Sequence, residues 1–565
     1  MKHVIIIGGG IAGLTAAHEL VEQNYKVTLI ERNSIVGGLA RTFQDSSKKI
    51  CPYEYSWRAY GQWYQNVYDI MKRIPFSDKK TVFDKLVILQ GGEKTCSKKI
   101  PEYNNTFSQL PLKDYFVILP ILIKYWCSCD ERNRNTFSKI GLRDYIHRNK
   151  LSAEAENLLG KIVGPYLGFD YHNASLYDLL YCGEMMSNNS DKNYNFNITS
   201  LPTNYAWFEP WIRLLKSKGV SILVQTELIK INLNNIDNKI DNIIVTDKSK
   251  FYPNYQMMDA DYYVNCTGPE VLKKILEPYK LYKSVQPFYN DIYNVAKNGR
   301  QIQLSVYYYI DKKIFLENKN TLAYLPNTPW LLMVLSTGHI WGDEYMSQYC
   351  DKNIKEIISV GICEPYVNGV FIKKPWSKCT RDEIKIEAWH QLINDADFKN
   401  NICIENNTEL NNINIIQFTM WDSFIYKNGK IDTYEPKWAN NINTIQYRPG
   451  PATSITNLFV GGSYSNTSTG TYSMESAAES GKIVAKHICK IDTINDNIYL
   501  HTKKRYMITY PIRYIDKLIH NGNFIYIIII VLIIVFIFWS LCIKKLYKFS
   551  SNNYIRQVLY KFIRI

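Results

Sequence analysis

The chain has 565 residues and a formal net charge of +15 at pH 7, from 67 Lys and Arg against 52 Asp and Glu. Its 46% hydrophobic and 21% charged content excludes wholesale disorder. A chain of this length buries a large core and needs no disulfide or metal to stabilise it. Residues 501–565 carry eleven basic residues and one acidic residue, which accounts for ten of the fifteen excess charges. The other 500 residues are close to neutral, so we expect no nucleic-acid partner.

The twelve cysteines are scattered along the chain, with no CxxC pair and no Cys/His cluster at the spacing of a zinc site. We therefore expect no metal site, and we expect free thiols in a reducing compartment.

The N-terminal segment has the pattern of a dinucleotide-binding βαβ unit. A short apolar strand at Val4–Ile7 leads into the run GGGIAG at residues 8–13, which fits GxGxxG. An amphipathic helix and a second strand, Lys26–Ile30, follow, and Glu31 ends that strand. In this pattern the glycines allow a tight turn, a close approach to a pyrophosphate and close helix–strand packing. The acidic residue accepts hydrogen bonds from the ribose hydroxyls.

A second glycine pair follows soon after, in the segment Gly37-Gly38-Leu39-Ala40-Arg41-Thr42. This arrangement resembles the flavoprotein superfamily that includes flavin-containing amine oxidases, phytoene desaturases and protoporphyrinogen oxidases. In that superfamily the segment wraps the FAD pyrophosphate, so the resemblance implies an FAD cofactor. Arg41 would bring positive charge to the phosphates.

Three later segments carry the same resemblance. Leu228, in the strand after Gly219, stands in the adenine-contact position, and Asp261–Pro269 resembles a strand that returns the chain to the Rossmann sheet. The segment Asn457–Ser463 and the helix from Met474 resemble the closing motif of the superfamily, with Ser463 where Asp is usual. The residues that we expect to contact FAD are Gly8, Gly10, Ile11, Ala12, Gly13, Glu31, Arg32, Gly37, Gly38, Leu39, Ala40, Arg41, Leu228, Thr267, Gly268, Gly462, Ser463, Ser473 and Met474.

Candidate catalytic groups come from two other segments. Residues 54–75 resemble the desaturase-like branch, where this region enters the flavin-facing cavity, so Glu54 and Arg58 are candidates for polar groups near the isoalloxazine. Tyr472 is a third candidate, although amine oxidases place a Tyr immediately before the Met-Glu pair and Ser473 stands there. The segment Glu435–Trp438 resembles one that approaches the flavin from the other side.

The resemblance implies an α/β fold in which a Rossmann-type FAD-binding domain is interleaved with an α+β substrate domain. We assign 1–75, 205–285 and 435–492 to the first domain, and 76–204 and 286–434 to the second. Within the second domain, residues 302–309 and 356–364 predict antiparallel strands with one polar face.

The C-terminal end predicts a membrane anchor. Residues 524–543 are twenty residues without a charge, long enough to span about 30 Å of hydrocarbon as a helix. A basic linker at 493–523 precedes the span and a short basic tail at 544–565 follows it. With no signal peptide at the N-terminus, we expect the body in the cytosol.

The resemblance, together with the predicted anchor, implies a membrane-anchored, FAD-dependent oxidoreductase that oxidises a C–H or C–N bond of an apolar or amine substrate, which could be lipid-like, by hydride transfer to flavin N5. Two alternatives stay open. One is a non-redox flavoenzyme resembling UDP-galactopyranose mutase, and the other is a catalytically silent FAD-binding membrane scaffold.

Overall fold

A computed structural model describes residues 1–44, 50–56, 58–88, 110–162, 170–189, 196–234, 236–316, 322–400, 402–404, 408–519 and 533. These residues fall into two compact units. The first unit comprises 1–110 and 138–504, and the second comprises 111–137 and 505–565.

A five-stranded parallel sheet forms the nucleotide-binding part of the first unit. Its strands, in spatial order, are Leu458–Val460, Tyr262–Asn265, His3–Ile7, Lys26–Ile30 and Ser221–Leu223. The central strand HVIII is buried along nearly its whole length, as expected for a parallel strand covered on both faces. The predicted order of strand, glycine loop, helix and second strand is therefore confirmed.

The helix Ile11–Glu22, here called the first helix, packs against Met474–Ile491, the closing helix. Small residues allow this close packing, because a Cβ on Gly481 would overlap the carbonyl oxygen of Ala12. The other α-helices in the described part of the first unit, in chain order, are Gln65–Arg73, Leu142–Arg148, Ala153–Glu156, Leu176–Asn188, Glu209–Ser217, Pro269–Leu276, Gln286–Asn298, Gly338–Trp341, Asp343–Tyr349, Arg381–Asn394 and Ala396–Asn400.

A second five-stranded sheet is antiparallel, with strands in the order Leu322–Leu325, Leu332–Ser336, Glu356–Ile362, Leu304–Ile310 and Ile415–Met420. The two predicted strands pair within it, Leu304 opposite Ile362 and Ile310 opposite Glu356. Both are buried at every residue, so the expected polar face is wrong. Helices and neighbouring chain cover both sides of this sheet, and its buried polar residues include Ser305 and Ser359.

Smaller sheets complete the first unit. One has the three strands Thr226–Asn234, Lys239–Asp247 and Tyr255–Met258. The two-stranded pairs are Thr42–Phe43 with Tyr53–Glu54, Pro75–Ser77 with Lys80–Thr81, Leu86–Ile88 with Asn197–Thr199, Arg300–Gln301 with Lys437–Trp438, Ile314–Leu316 with Ile402–Ile404, and Phe424–Lys427 with Lys430–Thr433.

The cysteines depart from the expectation of free thiols. Cys51 and Cys350 form a disulfide across 299 residues of sequence, whereas Cys182, Cys266 and Cys489 are among those that stay free. No local spacing in the sequence signals this pair, because only the folding of distant segments brings the two residues together.

Residues 494–504, here called the strap, run along the first unit after the closing helix. The carbonyl of Tyr499 accepts a hydrogen bond from Lys482 at 2.8 Å, and Asn66 exchanges two hydrogen bonds with the backbone of His501, both at 2.9 Å. Part of the segment expected to be a linker is therefore bound to the body.

The second unit has the helices Leu112–Cys127, Asp130–Phe137 and Tyr510–Ile519. Asp516 joins them, because its carboxylate accepts hydrogen bonds from Cys129 N and from Arg132. Within the described ranges, no helix combines the length and apolar character needed to cross a bilayer. The predicted span 524–543 lies outside the described residues, apart from Ile533.

Candidate functional site

A cavity of about 450 Å³ opens at the carboxyl ends of the parallel strands. Ile7 and Ile30, the last residues of two neighbouring strands, line it together with Cys266 and Gly462, which follow two others. This is the edge at which open α/β sheets bind their ligands. Predicted cofactor residues that line the cavity are Gly8, Gly10, Ile11, Ala12, Glu31, Arg32, Gly37, Gly38, Leu39, Ala40, Leu228, Thr267, Gly268, Gly462, Ser463, Ser473 and Met474.

The two glycine segments meet at the N-terminal end of the first helix. Gly8 adopts a φ of +103°, and Gly10 is the N-cap residue of the helix. The nearest atom to a Cβ built on Gly10 is the Cα of Gly38, at 3.8 Å. The backbone N–H groups of the first turn therefore face the cavity with no side chain covering them, as an anion-binding helix start requires.

Gly13 lies outside the cavity lining, and its role is packing. A Cβ at this position would overlap the carbonyl oxygen of Gly8, so only glycine allows the first helix to lie this close to the loop.

Glu31 is buried at the edge of the cavity, with 6% of its surface exposed. One carboxylate oxygen accepts the N–H of Gly9 at 2.8 Å, and the other accepts the N–H of Asn33 at 2.9 Å. A carboxylate has about four acceptor sites, so these two bonds orient Glu31 and leave acceptor capacity for a ligand hydroxyl.

Arg41 does not take the expected position. It lies outside the lining and donates from Nη2 to both carboxylate oxygens of Glu435, each at 2.9 Å, and from Nη1 to Gly38 O at 2.8 Å. Its guanidinium also stacks 4.7 Å from the centre of the Trp421 ring. The residue therefore holds the second glycine loop against a distant segment, and its charge is neutralised by Glu435.

Of the three candidate catalytic residues, two line the cavity and one does not. Arg58 and Tyr472 line the cavity, whereas Glu54 lies behind it. Glu54 and Arg58 form a buried ion pair, and Arg58 also donates to Leu39 O at 2.6 Å. Glu54 accepts hydrogen bonds from Thr42 Oγ1 at 2.7 Å and Thr203 N at 2.8 Å. The pair therefore supports the wall of the cavity beside Leu39.

The closing segment presents a helix start to the cavity. Ser473 is the N-cap of the closing helix, and its side chain accepts the N–H of Ser476 at 3.1 Å. Ser473, Met474 and Ala477 line the cavity. The Gly462 N–H, expected to face a cofactor, instead donates to Ser480 Oγ at 2.8 Å.

Lys437 lies on the cavity wall in the segment Glu435–Trp438, and the sequence alone assigned it no role. It lies in the two-stranded pair Arg300–Gln301 with Lys437–Trp438, lines the cavity and is only 6% exposed. Its ammonium donates to Gln303 Oε1 at 2.9 Å and lies 5.5 Å from the centre of the Tyr472 ring. Burial lowers the pKa of Lys437 to about 7. This amine is therefore able to take up and release a proton near neutral pH.

Some buried donors on the cavity wall have no acceptor in the described part of the protein, and Trp63 carries one of them. The indole Nε1–H of Trp63 is buried there without a hydrogen-bond partner. Buried polar groups are normally bonded, so this N–H fits an acceptor supplied by a ligand.

Comparisons with known proteins agree with this geometry. A family model described as an NAD(P)-binding Rossmann-like domain matches residues 6–74. The L-amino-acid oxidases of Siganus canaliculatus and Bungarus fasciatus are 44% and 43% identical to the chain over 47 residues. Those matches cover 8% of this chain and 9% of each oxidase, so the chain shares only a short stretch with these relatives.

Solved structures cover far more of the molecule. Putrescine oxidase superposes with a TM-score of 0.56 at 12% identity, covering 86% of this chain and 99% of its own. Cyclohexylamine oxidase from Brevibacterium oxydans IH-35A reaches a TM-score of 0.53 at 14% identity, covering 86% and 99%. A protein from Exiguobacterium sp. 255-15, assigned as a protoporphyrinogen oxidase, reaches 0.53 at 13% identity, covering 86% and 98%.

The chain has the fold of these oxidases. The Rossmann-type α/β fold that the resemblance implied is therefore confirmed, and the chain is similar in fold to amine oxidases and to a protein assigned as a protoporphyrinogen oxidase.

Proposed function

We propose that the protein is an FAD-dependent oxidoreductase that oxidises a C–H or C–N bond of an apolar or amine substrate. The observation that carries this proposal is the single cavity on which the first glycine loop, the second glycine loop, Glu31 and the start of the closing helix converge. The donor set fits FAD: uncovered helix-start N–H groups for a pyrophosphate, a carboxylate for a ribose, and the unpartnered Trp63 N–H.

FAD, when bound, supplies the acceptor for two electrons and a proton from the substrate. The protein's own part is to bind, orient and exclude water. Glu31 would hold the ribose, the loop at Gly8–Gly10 the pyrophosphate, and Leu228 the adenine. The positive end of the closing helix at Ser473 favours negative charge beside it.

The substrate loses a second proton besides the one that leaves with the two electrons, and Lys437 Nζ is the group that we assign to accept it. A buried lysine with its pKa near neutral pH is unprotonated in part of the population, and only that form is a base. Gln303 fixes the amine by accepting one of its protons, so the lone pair is directed by the protein rather than by solvent.

The rest of the lining favours a substrate that is apolar near the reacting bond. Tyr55, Trp63, Tyr64, Met186 and Phe196 line the cavity as aromatic or apolar side chains. The charged lining residues include several that are already paired, namely Arg58 with Glu54, Glu270 with Arg300, and Glu435 with Arg41. Because these charges are already paired, they leave little net charge to bind an ionic group of a substrate.

We also keep two sequence-based proposals. The interleaved layout has 1–75, 205–285 and 435–492 binding FAD, with 76–204 and 286–434 covering the substrate. Residues 524–543 form a membrane anchor, which suits a lipid-like substrate.

The cytosolic location of the body stays a prediction, and the Cys51–Cys350 disulfide counts against it, because such bonds are rare in reducing compartments.

The proposal is tested by purifying the full chain in detergent and recording its visible spectrum. We expect bound FAD, and anaerobic bleaching by a member of one substrate class among amines, polyprenoids and porphyrinogens. A chain that binds no flavin contradicts the proposal. Bound flavin bleached by none of the three classes points to the scaffold, and turnover only after reduction by NAD(P)H points to a mutase-like reaction.

Replacing Glu31 with glutamine should weaken FAD binding about tenfold, or about 1.4 kcal/mol, because the amide nitrogen that replaces one carboxylate oxygen donates hydrogen bonds and cannot accept one from a ribose hydroxyl. Fluorescence titration of the flavin-free protein with FAD measures the change in Kd. Glu227→Gln is the matched control, since Glu227 also lines the cavity but pairs with Lys248 near its own strand. Equal losses in both variants would contradict the ribose assignment.

A further inference from the structure

Glu475 is a fully buried carboxylate that the proposed reaction does not use. It is the second residue of the closing helix, and it is flanked by residues that line the cavity, Met474 before it and Ala477 after it. Glu475 itself faces away from the cavity. Its oxygens accept hydrogen bonds from Asn66 N at 3.1 Å, Asn66 Nδ2 at 2.8 Å and Val67 N at 3.0 Å.

The cation that neutralises Glu475 comes from the strap. Lys503 Nζ donates to Glu475 Oε1, and both side chains are 0% exposed. The strap is fixed at this point, because Lys503 N also donates to Ser468 Oγ at 2.7 Å. An ion pair without solvent on either side acts in a low effective dielectric, where an unbalanced charge is felt over a long distance.

The position of the pair connects it to the cavity on two sides. Glu475 lies in the first turn of the helix whose start, Ser473 and Met474, lines the cavity. The same carboxylate binds the backbone two residues after Tyr64, another lining residue. Burial raises the pKa of Tyr64, and the charge of Glu475 raises it further, so the carboxylate acts electrostatically on a group in the lining.

We propose that Lys503 is a positioning residue for the redox centre: by neutralising Glu475, the strap lets the start of the closing helix stabilise the electron-rich, reduced form of the cofactor. This inference rests on the proposed FAD function. Without Lys503, the negative charge of Glu475 would oppose the positive helix end at the place where negative charge accumulates on reduction. The strap is then part of the redox site although it does not line the cavity.

A double-mutant cycle of Lys503 and Glu475 tests this inference. The quantity measured for each variant is the FAD midpoint potential, obtained by anaerobic reduction of the full chain in equilibrium with a reference dye. Lys503→Met leaves Glu475 unbalanced, so the potential should move to more negative values. Glu475→Gln leaves Lys503 unbalanced and should move it to more positive values. The double variant carries neither charge and should return close to the parent. Its glutamine oxygen can still accept the hydrogen bonds of Asn66, while the amide nitrogen takes the place of the oxygen that accepts the Val67 N–H.

The matched control is Lys486→Met, because Lys486 also joins the closing helix to the strap, through Asp496, but lies farther along the helix. It should leave the potential unchanged. A purely structural role for Lys503 predicts no opposite shifts, so potentials that all stay at the parent value, or all fall, overturn the inference. If Lys503→Met fails to fold, Glu475→Gln and the double variant still decide it. Absence of FAD from the parent chain would overturn the proposed function and this inference together.

Discussion

Alanine at Gly10 should leave the protein folded and reduce its affinity for FAD by tenfold or more. Gly10 has an extended backbone that any residue adopts, and the nearest protein atom to a new Cβ lies 3.8 Å away, an ordinary contact. The methyl group would instead occupy cavity space beside the helix start, where we place the pyrophosphate. Flavin content after purification and a titration of the flavin-free protein measure the loss.

Alanine at Gly13 should act differently, because its Cβ overlaps the Gly8 carbonyl oxygen within the protein. Forcing the helix away costs about 1–3 kcal/mol of folding free energy, so both thermal stability and flavin binding should fall. Gly183→Ala is the control: this helical glycine has no atom within 4 Å of a new Cβ, so alanine should not destabilise the protein. Loss of stability in Gly10→Ala, or of flavin in Gly183→Ala, would contradict the assignment of roles.

Methionine at Lys437 should slow anaerobic flavin reduction by substrate about a hundredfold at pH 8, the size of a typical general-base contribution. In the parent protein the rate should rise with pH through about 7, because the amine must be unprotonated to accept a proton. The variant should lose this rise. Stopped-flow reduction between pH 6 and 9 measures both. Lys297→Met is the control, since this exposed lysine also lies over a tyrosine ring, 6.0 Å from Tyr293, outside the cavity.

The same variant has a stability signature that needs no substrate. Between pH 7 and 10.5 the unfolded chain binds a proton at Lys437 that the folded chain does not bind, so the stability of the parent rises with pH across that window. Lys437→Met should therefore be the more stable protein at pH 7, with the advantage shrinking toward pH 10. Thermal melts of the flavin-free proteins measure it. A constant difference between them would mean that Lys437 is not buried as an amine.

Local patterns predicted the nucleotide-binding elements well, because the physics that forms them is local. Glycines at residues 8–13 next to a β-branched strand, with Glu31 at the end of the next strand, predict the loop and the carboxylate from a few dozen residues. The closing helix was expected from its resemblance to the closing motif of the superfamily, and the structure confirms a helix that begins at Met474.

Contacts between distant segments could not be predicted in this way. Arg41 looked like a phosphate ligand, but its partner Glu435 stands 394 residues later. Burial by the whole fold lowers the pKa of Lys437, and no neighbour in sequence signals that burial. The disulfide partners Cys51 and Cys350 are likewise 299 residues apart.

Because the strap carries Lys503, the position of a C-terminal truncation determines whether the ion pair with Glu475 is kept. The closing helix ends at Ile491, and a cut there would remove the apolar C-terminal tail together with Lys503. A cut after Lys504 would remove the same tail and keep the ion pair, because Lys504 is the last residue of the first compact unit. Asn188 and Asn189 hold that residue through its carbonyl, at 2.7 and 3.0 Å. On our proposal for Lys503, a protease acting between these two points would release a body that retains its nucleotide cavity but holds its cofactor at a different redox potential.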